Sequence, residues 1–146
     1  MLLEILSELF ERDLNKLTSE IEQYPDEADI WKKPDGVPNS AGNLCLHLNG
    51  NLQHFIGATL GDTGYVRDRD AEFSSTGVPR EKMLADVDAT LYVVKSTLAT
   101  LNDADLTGKY PIEVFGHPMT TGWFLTHLAT YLTWHLGQIN YHRRMM

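Results

Sequence analysis

The chain of 146 residues has the length of one ordinary domain, and its 42% hydrophobic and 22% charged residues exclude a disordered protein. Twelve Lys and Arg stand against twenty Asp and Glu, so the formal net charge is −8 and no basic face is expected for binding nucleic acid. The one cysteine, Cys45, excludes an internal disulfide and a cysteine-rich zinc site.

Four segments carry the three- and four-residue apolar spacing of amphipathic helices, which predicts an all-α protein. They run from Leu2 to Tyr24, from Ser40 to about Gly61, from Pro79 to about Asn102, and from Thr121 to the end of the chain. Pro25 ends the first segment, while Ser40 or Asn39 and Thr120 or Thr121 are candidate N-caps of the second and the last. Helices of matched length favour a four-helix bundle.

The connecting segments are predicted to be loops, with one exception. Residues 26–39 form a loop that Ile30 and Trp31 anchor on the core, and residues 62–78 form a polar loop. Within it, Arg67-Asp68-Arg69-Asp70 is interpreted either as a solvated, self-paired run or as the mouth of a site that holds an anion. Residues 109–120 are β-prone and predict a short hairpin before the last helix.

The N-terminal segment and the hydropathy of the chain bear on its compartment. The first residues lack the basic region of a signal peptide, and Glu4 and Glu8 interrupt their apolar run. No apolar stretch reaches the roughly 18 to 20 residues of a membrane span. We therefore expect a cytoplasmic protein that makes no membrane contact.

The second predicted helix places three polar side chains on one side. At 100° per residue, Asn51 is rotated about 40° and His54 about −20° from His47. Leu44 lies near the same face, so part of it is expected to be inward. Cys45 is directed about 160° away from His47 and is interpreted as a buried, inert thiol.

The last predicted helix carries His127, Tyr131 and His135, each one turn from the next. His127 and His135 are about 12 Å apart along the axis, so both reach one metal ion only by leaning toward each other. These imidazoles are interpreted either as ligands of zinc, nickel or iron or as hydrogen-bonded core histidines. His117, in a turn, and His142, near the chain end, are interpreted as incidental.

Several segments together resemble DinB/YfiT-like proteins, and the resemblance covers residues 1–146 as a single domain. They are Trp31 with Pro34, Leu46-His47-Leu48 in a helix opened by Ser40, Gly50-Asn51-Leu52-Gln53-His54-Phe55-Ile56, Arg67-Asp68-Arg69-Asp70-Ala71-Glu72-Phe73-Ser74 and, most specifically, His135-Leu136-Gly137-Gln138-Ile139-Asn140-Tyr141-His142-Arg143-Arg144. The resemblance implies a four-helix bundle with non-sequential helix order that forms a homodimer. It also implies a divalent metal held by three histidines, and thiol-dependent transferase or isomerase activity in the members whose activity is known.

The resemblance transfers to this chain position by position, with one departure. His47 and His135 match two of the three metal ligands, but the third position holds Tyr131. Three outcomes remain open: weak or absent metal binding, His127 as the substitute ligand, or ligation by the Tyr131 phenolate, whose reference pKa is near 10.

Two functions therefore compete. The first is a divalent-metal-dependent enzyme that resembles thiol-dependent S-transferases, in which Tyr131, Asn51 and His54 line the substrate pocket. The alternative is a non-catalytic dimeric bundle that binds a small molecule, a thiol or a partner in a degenerate metal pocket. A role on DNA has no support from a net charge of −8.

Overall fold

Four long helices form the frame of the protein in the computed structural model, which describes residues 1–146. They are α1 (Leu2–Glu22), α2 (Ala41–Leu52) with its continuation to Gly61, α5 (Arg80–Leu98) and α7 (Thr121–Met145). The shorter elements are a 3₁₀ helix (Glu27–Trp31), α3 (Thr59–Gly61), α4 (Arg69–Ser74) and α6 (Asp103–Thr107). The predicted all-α class is confirmed.

Two of the predicted helix starts are made by side-chain caps. The Ser40 hydroxyl accepts a hydrogen bond from the Asn43 amide at the start of α2. The Thr120 hydroxyl does the same for the Trp123 amide at the start of α7. Such caps satisfy backbone donors that a helix leaves free in its first turn. The two helices that carry the candidate site therefore begin where the sequence predicts.

The helices are not arranged in chain order around the bundle. The first helix, α1, packs against α5 and α7, and α2 packs against the same two helices from the other side. The first and second long helices are therefore diagonal, as are the third and fourth, which is the predicted non-sequential order. This arrangement makes α2 and α7 neighbours, although residues 62–120 separate them along the chain.

The core is a continuous set of apolar side chains inside the four helices. The N-terminal stripe is completely enclosed, because Phe10, Leu14, Leu17 and Ile21 are each 0% exposed. Burying a side chain of this size stabilises the fold by about 1.5–3 kcal/mol relative to leaving it in water. Ile30 is equally enclosed, which confirms it as an anchor of the segment before α2, although residues Glu27–Trp31 form a 3₁₀ helix where the sequence predicts a loop.

The second long helix changes its winding halfway along. After Leu52 it continues as a π-helix over Gln53–Ala58 and ends at Asp62, whose φ of 50° is left-handed. Tyr110 supports this segment, because its hydroxyl donates a 2.6 Å hydrogen bond to the Phe55 carbonyl. A π-helical turn is wider than an α-helical one, and such turns occur frequently at functional sites. The angular spacing of 100° per residue therefore fails from Gln53 onward.

Three sequence-based expectations are corrected. The hairpin before α7 is reduced to one antiparallel bridge, Lys109 to Thr120, because Pro111 and Pro118 lack the amide donors that a strand pair needs. The loop 62–78 contains the helix α4. His142 is 3% exposed and is not incidental.

His142 joins the C-terminal helix to the first loop. Its Nδ1 accepts a 2.6 Å hydrogen bond from the Tyr24 hydroxyl, and its Nε2–H donates to the Lys32 carbonyl at 2.8 Å. Both ring nitrogens of the neutral imidazole are thereby used. His142 therefore has a structural role, and it contributes no donor to the candidate site.

None of the helices combines the length and the hydropathy that a bilayer crossing requires.

The cysteine is enclosed as predicted, and its chemistry follows from that enclosure. Cys45 is 0% exposed, and burial raises the pKa of its thiol to about 12. Because the thiolate is the reactive form, we expect the native protein not to react with an aromatic disulfide reagent at pH 8. Absorbance of the released thiol measures this, with protein in denaturant as the reactive control. Fast stoichiometric reaction of the native protein would contradict the enclosed position.

Candidate functional site

Three aromatic rings from α2 and α7 meet between these two helices. The ring of His47 lies 5.7 Å from that of Tyr131 and 5.6 Å from that of His135, measured between centroids. Tyr131 and His135, one helical turn apart, have centroids 4.5 Å apart. The structure therefore brings together the three positions that the resemblance matched to the metal ligands.

The hydrogen bonds of His47 determine its tautomer. Its Nδ1 lies 2.9 Å from Oε1 of Glu72, a carboxylate that only accepts, so Nδ1 carries the hydrogen. In the neutral ring, Nε2 then carries the lone pair, which accepts a 2.5 Å hydrogen bond from the Tyr131 hydroxyl. A carboxylate behind Nδ1 is the usual way in which proteins orient a metal-binding imidazole.

Glu72 is itself held by a second charged side chain. Arg67 donates from Nε to Oε2 and from Nη2 to Oε1, both at 2.8 Å; the Glu72 side chain is buried and that of Arg67 is partly buried. Burial raises the pKa of Glu72, but the hydrogen bonds from His47 and Arg67 outweigh burial and leave the pKa below its ordinary value. Glu72 is therefore ionised at neutral pH. Arg67 Nη2 also lies 3.1 Å from Nδ1 of His47, but both atoms are donors, so the carboxylate is their shared acceptor.

Glu72 reaches His47 only because α2 has a glycine at position 50. A Cβ added to Gly50 would lie 1.8 Å from Oε2 of Glu72. No real Cβ approaches an oxygen so closely, so any side chain at position 50 would displace the carboxylate. The glycine thus provides the space in which the Arg67–Glu72–His47 chain of hydrogen bonds forms.

His135 has its hydrogen on the same ring nitrogen as His47. Its Nδ1 lies 2.6 Å from Oε1 of Gln138, a carbonyl oxygen that only accepts, so Nδ1 carries the hydrogen here too. Its Nε2 is buried and has no hydrogen-bond partner. Burial lowers the pKa of this imidazole, which keeps the ring neutral. A buried acceptor without a partner is rare in folded proteins, and such an atom is suited to binding a ligand.

The donor set fits a divalent metal with two strong ligands and one weak one. Two imidazoles that share one tetrahedral zinc ion at about 2.0–2.1 Å have ring centroids about 5 to 6 Å apart, and those of His47 and His135 are 5.6 Å apart. The third donor is the Tyr131 phenol, whose pKa burial raises. No group of three or more His, Cys, Asp or Glu side chains is assembled for a metal.

A cavity of about 250 Å³ opens beside the cluster. Its polar wall includes His47, Tyr131 and Asn51, and the Oδ1 atom of Asn51 is buried without a partner. The remaining lining residues are Phe55, Arg67, Arg69, Val114, Phe115, Phe124, His127 and Leu128. His47 and Tyr131 thus face a space that a small molecule can enter, whereas His135 lines a different cavity together with Gln138 and Tyr141.

The other predicted site residues are placed as follows. His127 lines the cavity, where its ring stacks on Trp123 at 5.5 Å, makes no hydrogen bond, and lies 6.0 Å from the ring of Tyr131. His54 lies against Phe55 outside the cavity wall. The change to π-helical winding at Gln53 explains why His54 departs from the projected face.

Sequence reasoning missed Glu72 as a member of the site, and it offered Arg67 only as part of a site mouth, not as the partner of Glu72. Both lie in the segment that was predicted to be a loop, and their five-residue spacing matches no helical or strand period. A signal was present in Asp68, which caps α4 by accepting from the Ala71 amide at 3.0 Å. Neither interpretation of residues 67–70 described this pairing of Arg67 with Glu72.

Comparison with known proteins assigns a family but no activity. Residues 2–146 match the family model described as "Protein of unknown function (DUF1572)". No curated protein matches the chain. Because the match extends over nearly the whole sequence, the chain belongs to the DUF1572 family.

Proposed function

We propose that this protein is a DinB-like enzyme that binds one divalent metal ion at His47, Tyr131 and His135 and transfers a group to or from a small thiol. The supporting observation is the unpartnered Nε2 of His135, buried beside the ring of His47. Both imidazoles have Nδ1 hydrogen-bonded to an oxygen, so Nε2 is the atom of each ring that would bind a metal. This is the protonation state that metal ligation requires. The Nε2 atom of His135 has no partner, and that of His47 is bonded only to the Tyr131 hydroxyl.

The residues around the cluster have distinct roles in this proposal. Glu72 and Arg67 hold the His47 ring in one tautomer and one orientation. The Tyr131 hydroxyl, 2.5 Å from His47 Nε2 at the cavity wall, would give up this hydrogen bond and its proton to become the third ligand. A zinc, nickel or iron ion bound here supplies a Lewis acid that lowers the pKa of a thiol or water and makes it nucleophilic near neutral pH.

Metal content tests the proposal directly. The wild-type protein, purified without chelator, is expected to contain about one equivalent of zinc, nickel or iron by plasma mass spectrometry. His47→Ala and His135→Ala are expected to contain at least about tenfold less. His54→Ala is the matched control, because it removes an imidazole from α2 outside the cavity and is expected to retain the wild-type content. Equal metal in all four proteins would disprove the proposal.

A second function is favoured by a different observation. The hydrogen bond from Tyr131 satisfies Nε2 of His47 without any metal. In this alternative the protein is a non-catalytic homodimer whose cavity binds a small molecule or a partner. Wild-type protein that contains stoichiometric metal rules it out, and light scattering of the purified chain measures the homodimer, which stays a prediction.

A further inference from the structure

The cavity beside His47 and Tyr131 carries positive charge in a chain whose net charge is −8. Two guanidinium groups, of Arg67 and Arg69, line it. Arg67 is fully engaged with Glu72. Arg69 has no ion-pair or hydrogen-bond partner, and its guanidinium carbon lies 5.2 Å from the centroid of the Phe73 ring. Its charge is therefore free for an anion at the cavity mouth.

The cavity wall also contains a polar group without a hydrogen-bond partner. Asn51 is 7% exposed, and its Oδ1 atom is completely buried without a hydrogen-bond partner. Buried polar atoms are normally satisfied by the protein or by something bound to it. Because this atom belongs to a residue of the cavity wall, it is suited to accept a hydrogen bond from a bound molecule.

Another part of the cavity wall is aromatic. Phe55 and Phe115 each lie edge-on to Phe124, with ring centroids 5.2 Å and 6.1 Å apart. Such a wall accommodates a flat apolar group in offset or edge-on contact. At roughly 25–30 Å³ for each water-sized group, the cavity of about 250 Å³ holds about eight to ten non-hydrogen atoms.

These features select one class of molecule. We infer that the cavity binds a small aryl carboxylate, with its carboxylate on Arg69, its ring against the phenylalanine wall, and a hydrogen-bond donor on Asn51. Arginine suits this role, because its planar fork matches a carboxylate and remains charged at every accessible pH. The inference rests on the proposed function, since it names the substrate class of the same site.

The probe is 4-hydroxyphenylacetate, compared with its uncharged amide. Both are titrated calorimetrically into protein kept in a chelator, so that the result does not depend on the metal. We expect the wild-type protein to bind the acid at least about tenfold more tightly than the amide. Arg69→Gln is expected to remove that preference.

Arg144→Gln is the matched control, because Arg144 also lies over an aromatic ring, 5.3 Å from the centroid of Tyr141, but outside the cavity. It is expected to retain the wild-type preference for the acid. Equal binding of acid and amide, no binding of either, or a preference that survives Arg69→Gln would overturn the inference. A preference for the acid that requires added zinc would also overturn it while supporting the proposed metal site, so the two failures are distinguishable.

Discussion

Gly50→Ala is expected to lower the free energy of unfolding by about 2–4 kcal/mol. An alanine in the middle of a helix normally adds about 1 kcal/mol of stability relative to glycine. Here its Cβ would lie 1.8 Å from Oε2 of Glu72, so the carboxylate must leave its buried contacts with Arg67 and His47. Breaking a buried ion pair costs about 3–5 kcal/mol, which exceeds the gain in helix propensity. Urea denaturation followed by circular dichroism measures the difference.

Two variants isolate the cause of that loss. Gly137→Ala also replaces a glycine inside a long helix, but no atom lies within 4 Å of the added Cβ, so it is expected to stabilise the protein. In the Glu72→Ala background the clash is absent, and adding Gly50→Ala is expected to cost nothing. The interpretation fails if the effects of Gly50→Ala and Glu72→Ala are additive, or if Gly50→Ala stabilises like Gly137→Ala.

Tyr131→His is expected to raise the affinity for zinc at pH 7 by about 10²- to 10³-fold. A phenol with a pKa near 10 must lose its proton to become a ligand, and pH 7 lies about three units below that pKa. An imidazole with a pKa near 6.5 is already neutral at pH 7. Burial raises the pKa of Tyr131 further, despite the nearby charges of Arg69 and Arg67. A competition titration with a chromophoric chelator measures the affinity.

The pH dependence of the same titration shows whether the Tyr131 phenolate is a ligand. If Tyr131 binds as phenolate, wild-type affinity rises more steeply with pH than that of Tyr131→His, because binding releases the phenol proton. Tyr131→Phe removes the oxygen and is expected to weaken binding. An unchanged affinity in both variants would show that position 131 contributes no ligand and that the cluster has only two.

The helical frame is predictable because its signals are local. The stripe that includes Phe10, Leu14 and Leu17 and the caps at Ser40 and Thr120 each act within one or two turns, so spacing and residue type suffice to find them. The meeting of His47 with His135 is only partly predictable from such local signals. Helical spacing places each on one face of its own helix, but their meeting depends on α2 and α7 being neighbours, which here rested on the resemblance.

The parts that escaped prediction depend on contacts between distant segments. Glu72 reaches His47 because α4 folds back over α2, across 25 residues of chain. His142 is buried through Tyr24, 118 residues away. Neither contact produces a regular residue spacing that the sequence could reveal. The π-helix that begins at Gln53 changes the angle between successive side chains, although the sequence there has the spacing of an α-helix.

The diagonal arrangement of α1 and α2 has a practical consequence for ligand discovery. His47 and Tyr131 are 84 residues apart, and the bundle must be complete for them to touch. A molecule that bridges them therefore binds only the native state and adds its binding free energy to that of the entire fold. At a free concentration one hundred times its dissociation constant, such a ligand stabilises the protein by about 2.7 kcal/mol. A shift in melting temperature is thus a sensitive screen for metals and aryl acids, without any knowledge of the reaction.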